Sequence, residues 1–584
     1  MKDLLIKFWR LRQNQHVILY GLSVVIGVVV AYGAIGFREL IDLAQITFLG
    51  FGGERIYEAA ITTPWWRIML APVLGGLVVG LILRHLMQNG RALGIADTIE
   101  ANALNSARMP LRQGLYSAGL SAISMGAGAS TGREGPIVHL GATLAAWLGE
   151  KLKLTSALSR TVMGCGVATA VAASFNAPIA GVFFAMEVVL GHYAIHAFAP
   201  IVMASVVGTI VSRAYMGNYP AFIIPEYSFA SAWDIPVIIL LGVICAFVSI
   251  GFLRTILLAN GLFSRLSQVP RWTHPMLGGL IVGLVALMFP QILGVGYEAT
   301  DTALQGGYIL WMLLALLVLK ILMTSVSLGA GFGGGVFSPA LFIGAMTGGA
   351  VGLLAASIVP ETIASHGLFA IIGMGAVAGA VLGAPISTFL IVFELIGDYQ
   401  LSIAIMVATM LASVIARQSG TLSFFHGQLE QRGLRLRSGR ARHIVQTKRI
   451  GEVMSSDYRS IEPAASMDDV RLRLPLAPHS LLVLQDADRR FKGMITPHSL
   501  QELEDGDKEV SEAADAAEQP SRLVYRDDPL QKALTAFDVT SEEYLPVLDN
   551  EESKAVVGLL LHRDALAAYN RVLLEERAEE RGED

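Results

Sequence analysis

Residues 132–142 read GREGPIVHLGA and residues 335–345 read GVFSPALFIGA, and both stretches lie within an otherwise apolar part of the chain. In each stretch a proline stands five residues before a glycine. Proline suits the first turn of a helix because its missing N–H would have no acceptor there, and glycine lets two backbones approach closely. The two stretches therefore predict two helices that begin inside the protein, the first with Arg133 and Glu134 at its start.

The two stretches belong to a longer internal repeat. Each is followed by a Gly-rich run that ends in Ala-Pro-Ile, and a glutamate follows that proline by nine residues: Glu187 after Pro178, and Glu394 after Pro385. The copies are offset by 203 residues at the first proline and by 207 at the second. Two such halves, which we predict to be inverted, are typical of secondary transporters, whose substrate site lies where the halves meet. The equivalent positions of the two glutamates favour a structural role near helix ends.

Composition indicates a polytopic membrane protein. Of the 584 residues 53% are hydrophobic and 60 are glycine, a residue common in tightly packed membrane helices. A membrane span needs about 20 apolar residues. Stretches of suitable length occur at 17–36, 66–88, 197–215, 233–256, 274–295, 309–327 and 401–418. The shorter segments 135–150 and 177–190 suit helices that enter the membrane without crossing it. The predicted fold is thus an all-α membrane domain with broken and re-entrant helices.

Charge divides the chain into two parts. Residues 446–584 contain 17 Lys and Arg against 30 Asp and Glu, whereas the preceding part has an excess of basic residues. We therefore predict a membrane domain over 1–445 and an acidic cytoplasmic domain over 446–584. Basic residues flank the membrane domain, namely Lys2, Lys7, Arg10 and Arg12 before the first span and Arg432, Arg435, Arg437, Arg440 and Arg442 after the last. The positive-inside rule then places both termini in the cytoplasm.

The polar residues of the membrane domain favour an anion pathway. Helix N-termini aimed at one point present N–H groups and partial positive charge, which together make an anion site. A cation carrier would need several membrane carboxylates, and only Glu134, Glu187 and Glu394 stand out. A charged side chain at the bilayer centre costs about 2.5–3.5 kcal/mol. Glu134 therefore either forms a structural ion pair with Arg133 or serves transport.

These motifs resemble those of the CLC chloride channel and transporter family. Gly132–Pro136 is similar to the family signature, Gly335–Pro339 to its GxFxP motif, and FNAPIAG at 175–181 to a third motif. The resemblance covers nearly the whole membrane domain. It implies a homodimer with one anion pore in each subunit and no enzymatic activity.

The resemblance also implies roles for individual residues. Glu134 corresponds to the gating glutamate, whose carboxylate occupies an anion site and leaves it when protonated or displaced by an anion. Arg133 is expected to pair with Asp97 or Glu100, which would leave Glu134 free to move, and His139 is expected to be a packing residue. The implied anion-binding residues are Leu93, Gly94, Ile95, Arg133, Glu134, Gly135, Val336, Phe337 and Phe425.

At three positions the chain departs from the family pattern. Leu93 stands where the family's first anion motif has serine, and Phe425, or Phe424 in the alternative register, replaces the central tyrosine. Losing both hydroxyl donors weakens the expectation of a chloride preference and favours an anion such as nitrate or bicarbonate. Val188 replaces the internal proton-carrying glutamate, as in channel-type members. Both a proton-coupled and a channel-like mode therefore stay open.

The acidic domain is similar to a pair of CBS modules. Residues 447–505 and 518–572 each combine a helix-like segment with short apolar strands, and an acidic linker between them is expected to be disordered. Such pairs often bind an adenine nucleotide, whose ribose Asp564 could hold. Ser499 stands at the matching place in the first module, so at most one site is equipped.

The resulting hypothesis is an anion transporter or channel of a prokaryotic inner membrane. Its partners would be small inorganic anions, protons in a coupled mode, and the lipid bilayer, with no nucleic acid. No cluster of metal ligands, phosphate-binding loop or nucleophile–base pair stands out, so we expect no metal or obligatory cofactor. The alternative is a magnesium transporter, because CBS pairs also accompany those proteins. That alternative would require a cluster of membrane carboxylates.

Overall fold

The structure is a computed structural model that describes residues 15–217, 222, 234–266, 268–358, 365–434, 448–505, 511–540 and 542–581. The chain divides into two compact units, Met1–Leu434 and Arg435–Asp584. The predicted boundary at residue 445 and most of the basic residues that flank the membrane domain lie outside the described ranges.

The first unit is helical. Its helices are α1 (Gln15–Phe48), α2 (Ile56–Thr62), α3 (Trp65–His85), α4 (Ile95–Leu104), α5 (Leu111–Gly126), α6 (Glu134–Lys151), α7 (Ser156–Phe175), α8 (Pro178–Phe184), α9 (Ile195–Met216), α10 (Asp234–Arg265), α11 (His274–Ala286), α12 (Tyr297–Leu304), α13 (Leu310–Ala330), α14 (Phe337–Ile358), α15 (His366–Leu382), α16 (Pro385–Ile396), α17 (Tyr399–Gln418) and α18 (Phe424–Gln431). Within the described ranges, eight helices are long and apolar enough to cross a membrane. The predicted all-α membrane fold is confirmed.

Helix lengths differ from the expected spans at several places, since α1 extends beyond residue 36 to Phe48 and α10 extends beyond residue 256 to Arg265. The predicted span 274–295 is wrong, because α11 ends at Ala286 and a separate 3₁₀ turn follows at Pro290–Ile292. A proline inside a helix removes a backbone donor and clashes with the preceding turn, so Pro290 disfavours continuation of α11. The short segment 177–190 forms α8, which continues as a π-helical turn to Leu190.

The internal repeat appears as reciprocal contacts between the two halves. The amide of Gly132 donates to the carbonyl of Gly335 at 2.8 Å, and the amide of Gly335 donates back at 2.7 Å. Ser130 N donates to Ser327 Oγ at 3.1 Å, and Gly333 N donates to Ser124 Oγ at 3.0 Å. Ser130 corresponds to Gly333, and Ser124 corresponds to Ser327. In both cases the two positions are 203 residues apart, which is the offset of the sequence repeat. Mutual contacts of this kind require a local two-fold relation between the halves.

Glu187 and Glu394 extend the same relation. Glu394 accepts hydrogen bonds from the amides of Ile179 at 3.0 Å and Ala180 at 2.7 Å, at the start of α8. Glu187 accepts from the amides of Ile386 at 3.2 Å and Ser387 at 2.7 Å, at the start of α16. Each glutamate therefore satisfies first-turn amides of the equivalent helix in the other half. The predicted structural role near helix ends is confirmed.

The second unit contains two copies of one β-α-β-β-α arrangement. The first copy has β1 (Arg459–Ile461), α19 (Met467–Arg473), β2 (Leu482–Gln485), β3 (Phe491–Ile495) and α20 (Pro497–Asp505), and the second has β4 (Val524–Tyr525), α21 (Leu530–Thr540), β5 (Tyr544–Leu548), β6 (Val556–Leu561) and α22 (His562–Arg581). In each copy the first two strands pair in parallel and the last two pair antiparallel. A cluster of buried residues from both copies joins the two sheets.

The segment that precedes each copy along the chain packs into the core of the other copy. Ile450 is buried in the core of the second copy, and Ser455 pairs with Leu559 of β6. Conversely, Ala513 and Ala516 lie on a 3₁₀ turn that precedes the second copy, and they are buried in the core of the first copy. The prediction of a disordered acidic linker is therefore wrong for the described residues 511–520. The alanines supply apolar surface that the first copy buries, despite the acidic residues around them.

Candidate anion pathway

A cavity of about 160 Å³ lies where the two halves meet, and we call it the inner cavity. Of the residues predicted to bind the anion, seven line it: Leu93, Gly94, Ile95, Gly135, Val336, Phe337 and Phe425. Phe424 also lines it, with its ring 5.8 Å from that of Phe425, so both registers considered for the central aromatic place a phenylalanine here.

Four helices begin at the inner cavity. They are α4 after Gly94, α6 at Glu134, α14 at Phe337 and α18 at Phe424. First-turn amides have no acceptor within their own helix and carry partial positive charge, so convergent helix starts attract an anion. The starts lie close together because the connecting segments contain glycine: a Cβ on Gly335 would stand 2.9 Å from the amide nitrogen of Gly135. The local sequence thus builds the positive end of the site without a formal charge.

Glu134 is buried and is held by donors from two other helices. Its Oε1 accepts hydrogen bonds from the hydroxyl of Tyr297 at 3.1 Å and from the hydroxyl of Ser338. Its Oε2 accepts from the amide of Ser338 at 3.4 Å. In this conformation the first turn of α14 binds the carboxylate.

Arg133 binds a different acid from the one expected. Its Nη1 lies 2.8 Å from Glu54 Oε1, and Arg38 binds the same oxygen at 2.9 Å. The predicted pairing of Arg133 with Asp97 or Glu100 is wrong. Arg133 does not line the inner cavity but a second cavity of about 40 Å³, bounded also by Glu54 and Tyr297, which we call the outer cavity. Its guanidinium lies 4.9 Å from the ring centroid of Tyr297.

Asp97 and Glu100 instead bind arginines at the inner cavity. Arg91 lies 2.6 Å from Asp97, and Arg432 lies 3.0 Å from Asp97 and 3.3 Å from Glu100. Asp97 also accepts from the amide of Gly94 at 2.9 Å. Both guanidiniums line the cavity wall, and the two acids balance their formal positive charge.

The ion cluster at the outer cavity affects the ionisation of Glu54. Burial acts to raise the pKa of this carboxyl, but the guanidiniums of Arg133 and Arg38 outweigh it and hold the pKa below its ordinary value. Glu54 follows the end of α1 and lies outside the membrane-spanning helices. It therefore stays ionised at neutral pH and keeps both arginines in place.

A comparison with family models matches residues 75–417 to the family described as voltage gated chloride channel. This range covers more than half of the chain and contains both halves of the repeat. The chain belongs to this family.

Known proteins agree with the assignment. A ClcB-like protein of Ralstonia nicotianae is 32% identical over 412 residues, which cover 70% of this chain and 95% of that protein. The crystal structure of a slow cyanobacterial Cl⁻/H⁺ antiporter has a TM-score of 0.64 at 22% identity and covers 71% of this chain and 97% of that one. A eukaryotic CLC transporter has a TM-score of 0.62 at 18% identity and covers 94% of this chain and 97% of that one.

Membership establishes a multi-pass membrane protein of a family of anion channels and transporters, whose members are not enzymes. The magnesium-transporter alternative is not favoured by these matches. The two solved structures support the fold alone, and the eukaryotic one extends over the second unit as well.

Two further candidate positions, Val188 and Asp564, are not among the residues that line the inner cavity. Val188 is half-buried on the π-helical turn after α8. Asp564 lies in the first turn of α22 with its carboxylate 3.6 Å from Arg563. Ser499, its counterpart in the first copy, bonds to Thr496 through both its hydroxyl and its amide. His139 is buried, as expected of a packing residue.

Sequence reasoning missed four residues of this pathway. Tyr297, Ser338 and Glu54 surround Glu134 and Arg133, and Lys320 is a fully buried lysine within α13. Lys320 donates to the carbonyls of Ile292 at 3.1 Å and Gly294 at 2.9 Å, just before Tyr297. A lysine inside an apolar span was a usable signal, because such charges are rare and usually functional. No comparable sequence feature marked Tyr297 or Glu54.

Proposed function

We propose that the chain moves small monovalent anions across the membrane and that the Glu134 carboxylate is the gate of the pathway. One observation carries this proposal: the carboxylate occupies a site made by the start of α14, between residues that line the inner cavity and residues that line the outer cavity. A site that binds a carboxylate at a helix start suits a free anion equally well.

The proposed gate opens by competition or by protonation. As a carboxylate, Glu134 holds the site against an anion. A proton removes its charge and weakens the hydrogen bonds from Tyr297 and Ser338, because charge-assisted bonds are about twice as strong as neutral ones. Anion flux should therefore rise as external pH falls into the range where the carboxylate takes up a proton.

The test is anion flux from liposomes between pH 4.5 and 8 for the wild type, Glu134→Gln and Glu134→Ala. The glutamine imitates the protonated form and the alanine empties the site. We expect both variants to pass anions freely and to lose most of the pH dependence. Variants that keep the wild-type pH profile would show that Glu134 serves structure only.

The same measurement with a pH electrode separates the two transport modes. Coupled transport would move protons against the anion, and Glu134 would be needed for it. Val188 carries no proton, which favours a channel-like mode, whereas the similar cyanobacterial protein is a Cl⁻/H⁺ antiporter. Proton movement that follows anion flux in the wild type and vanishes in Glu134→Ala would establish the coupled mode.

We further propose a homodimer with both termini in the cytoplasm of a prokaryotic cell, inserted in its inner membrane. The membership of the CLC family supports the assembly, and the basic residues that flank the membrane domain support the orientation. Light scattering of the purified protein in detergent tests the assembly, and a reporter fused to the C-terminus tests the orientation. A monomer or an external C-terminus would contradict the respective proposal.

For the second unit we propose a CBS pair that binds an adenine nucleotide through Asp564. The repeated β-α-β-β-α arrangement and the place of Asp564 in the first turn of α22 support it, and the engagement of Ser499 with Thr496 limits it to one site. ATP should raise the unfolding temperature of the full chain and should not raise that of Asp564→Ala. An equal response in both proteins would exclude this site.

A further inference from the structure

We propose that Tyr297 and Ser338 determine anion specificity at the Glu134 site and that they favour small oxyanions, such as nitrate or bicarbonate, over halides. The inference rests on the proposed anion transport and names the substrate class of that same site. It is carried by the way in which the two residues hold the Glu134 carboxylate.

The carboxylate of Glu134 stands in for the oxyanion. Both hydroxyls converge on Oε1, with Tyr297 OH at 3.1 Å, while the amide of Ser338 addresses Oε2 at 3.4 Å. The two oxygens are joined through one planar carbon. The site therefore offers donors at two places whose separation is that of two oxygens on one central atom, the geometry of nitrate and bicarbonate.

A halide fits the same donors less completely. It is a single acceptor atom, so it can take either the place between the two hydroxyls or the place at the amide. An oxyanion occupies both places at once and forms shorter charge-assisted bonds to hydroxyl donors. When a halide replaces the carboxylate, a donor that the halide does not contact is left without a hydrogen bond. This cost disfavours the binding of a halide.

The tyrosine hydroxyl is held in place before any anion arrives. The ring of Tyr297 is buried between the guanidinium of Arg133 at 4.9 Å and the ring of Phe222 at 5.0 Å. Lys320 binds the carbonyls of Ile292 and Gly294, which fixes the segment that leads into Tyr297. Because the hydroxyl is already ordered, little conformational entropy is lost when an anion binds. The preference of this donor for an oxyanion is therefore not reduced by an ordering cost.

The inner cavity offers no comparable hydroxyls at the positions where the family would have them. Leu93 and Phe425 bring apolar side chains, and the hydroxyl of Ser117, 2.8 Å from Leu93 N, already bonds to the backbone of Leu93. At these positions the inner cavity therefore has no hydroxyl donor, whereas the Glu134 site has two. In the wild type, which has no hydroxyl at position 93 or 425, the choice between anion classes should be made there.

The experiment compares nitrate and chloride flux from liposomes in the Glu134→Ala background, where the anion meets the donors without competition. Tyr297→Phe and Ser338→Ala remove one hydroxyl each and preserve the shape of the side chain. We expect each change to lower the nitrate-to-chloride flux ratio, and the pair together to lower it by about tenfold. Tyr32→Phe and Ser264→Ala make the same chemical changes at exposed positions and should leave the ratio unchanged.

The outcomes separate this inference from the proposed function. A flux ratio unchanged in both hydroxyl variants, or an equal loss of both fluxes, would overturn the inference while anion transport stands. Absence of any anion flux in Glu134→Ala would overturn the proposed function itself. Because Tyr297→Phe and Ser338→Ala act on different helices, a folding defect in one leaves the other to decide.

Discussion

Glu134 and Arg133 are neighbours in sequence but belong to two different polar groups. Glu134 is bound by hydroxyls and an amide at the start of α14, whereas Arg133 is bound by Glu54 at the outer cavity. The self-neutralised ion pair considered for GREGP is therefore not formed in this structure. Separate partners allow the carboxylate to leave its site without breaking the ion pair of the arginine.

Glu54 should stabilise the fold in a pH-dependent manner. Its folded-state pKa lies below the ordinary value of 4.5, so its contribution is complete above that value and is lost as pH falls through the folded pKa. Glu54→Gln should lower the unfolding temperature in detergent at pH 7, and the difference from wild type should shrink below pH 4.5.

Glu58→Gln is the matched control, because Glu58 pairs with Arg55 at an exposed site. A surface pair of this kind contributes little. If Glu54→Gln behaved like this control at every pH, the ion cluster at the outer cavity would have no role in stability.

Leu93 offers a second test at the residue scale. A serine there would restore one hydroxyl donor to the inner cavity, and a halide, which is a single acceptor atom, can match one donor fully. A hydrogen bond to a charged group contributes about 1.5–3 kcal/mol. Leu93→Ser should therefore raise the preference for chloride over nitrate or bicarbonate by about tenfold or more, measured as a flux ratio in liposomes. An unchanged ratio in a folded variant would show that a hydroxyl introduced into the inner cavity does not affect anion selectivity.

Among the helices, the reciprocal caps connect the two halves most directly. The carboxylates of Glu187 and Glu394 each satisfy two first-turn amides across the interface between α8 and α16. These bonds explain why a glutamate recurs nine residues after the proline in both copies. The spacing reflects a cap on the partner helix and not a pair of catalytic acids.

Removing either cap should cost similar stability. Glu187→Ala leaves the amides of Ile386 and Ser387 without their acceptor, and Glu394→Ala does the same to Ile179 and Ala180. Loss of a helix N-cap costs about 0.5–2 kcal/mol, so both variants should unfold at lower temperature in detergent. Glu150→Ala, at an exposed position near the end of α6, is the control. An unfolding temperature no lower than in this control would contradict the capping role.

At the scale of the whole molecule, the pathway is complete within the first unit. The residues that line the inner and outer cavities all precede residue 435, where the second unit begins. Deleting residues 446–584 should therefore leave a protein that folds and passes anions. Flux from a truncated protein that elutes as one species in size exclusion checks this. Complete loss of flux from such a protein would show that the second unit does more than regulate.

Much of the architecture could be predicted from the spacing of motifs along the sequence. The repeat offset of 203 residues is the offset of the reciprocal Gly132–Gly335 pair, and the Gly-Pro segments begin helices at the expected residues. Helix starts and repeats are local properties, because they depend on the conformational preferences of a few neighbouring residues. The clustering of Leu93, Gly135, Val336 and Phe425 followed from the family resemblance.

The sequence by itself determined the class of protein, its two halves and most of the predicted residues that line the inner cavity. Only the tertiary structure decided the partners: Glu54 for Arg133, Tyr297 and Ser338 for Glu134, and the exchange of leading segments in the second unit. The physical reason is distance along the chain. Glu54 and Tyr297 lie 79 and 163 residues from the side chains they bind, and such pairings depend on how remote helices pack.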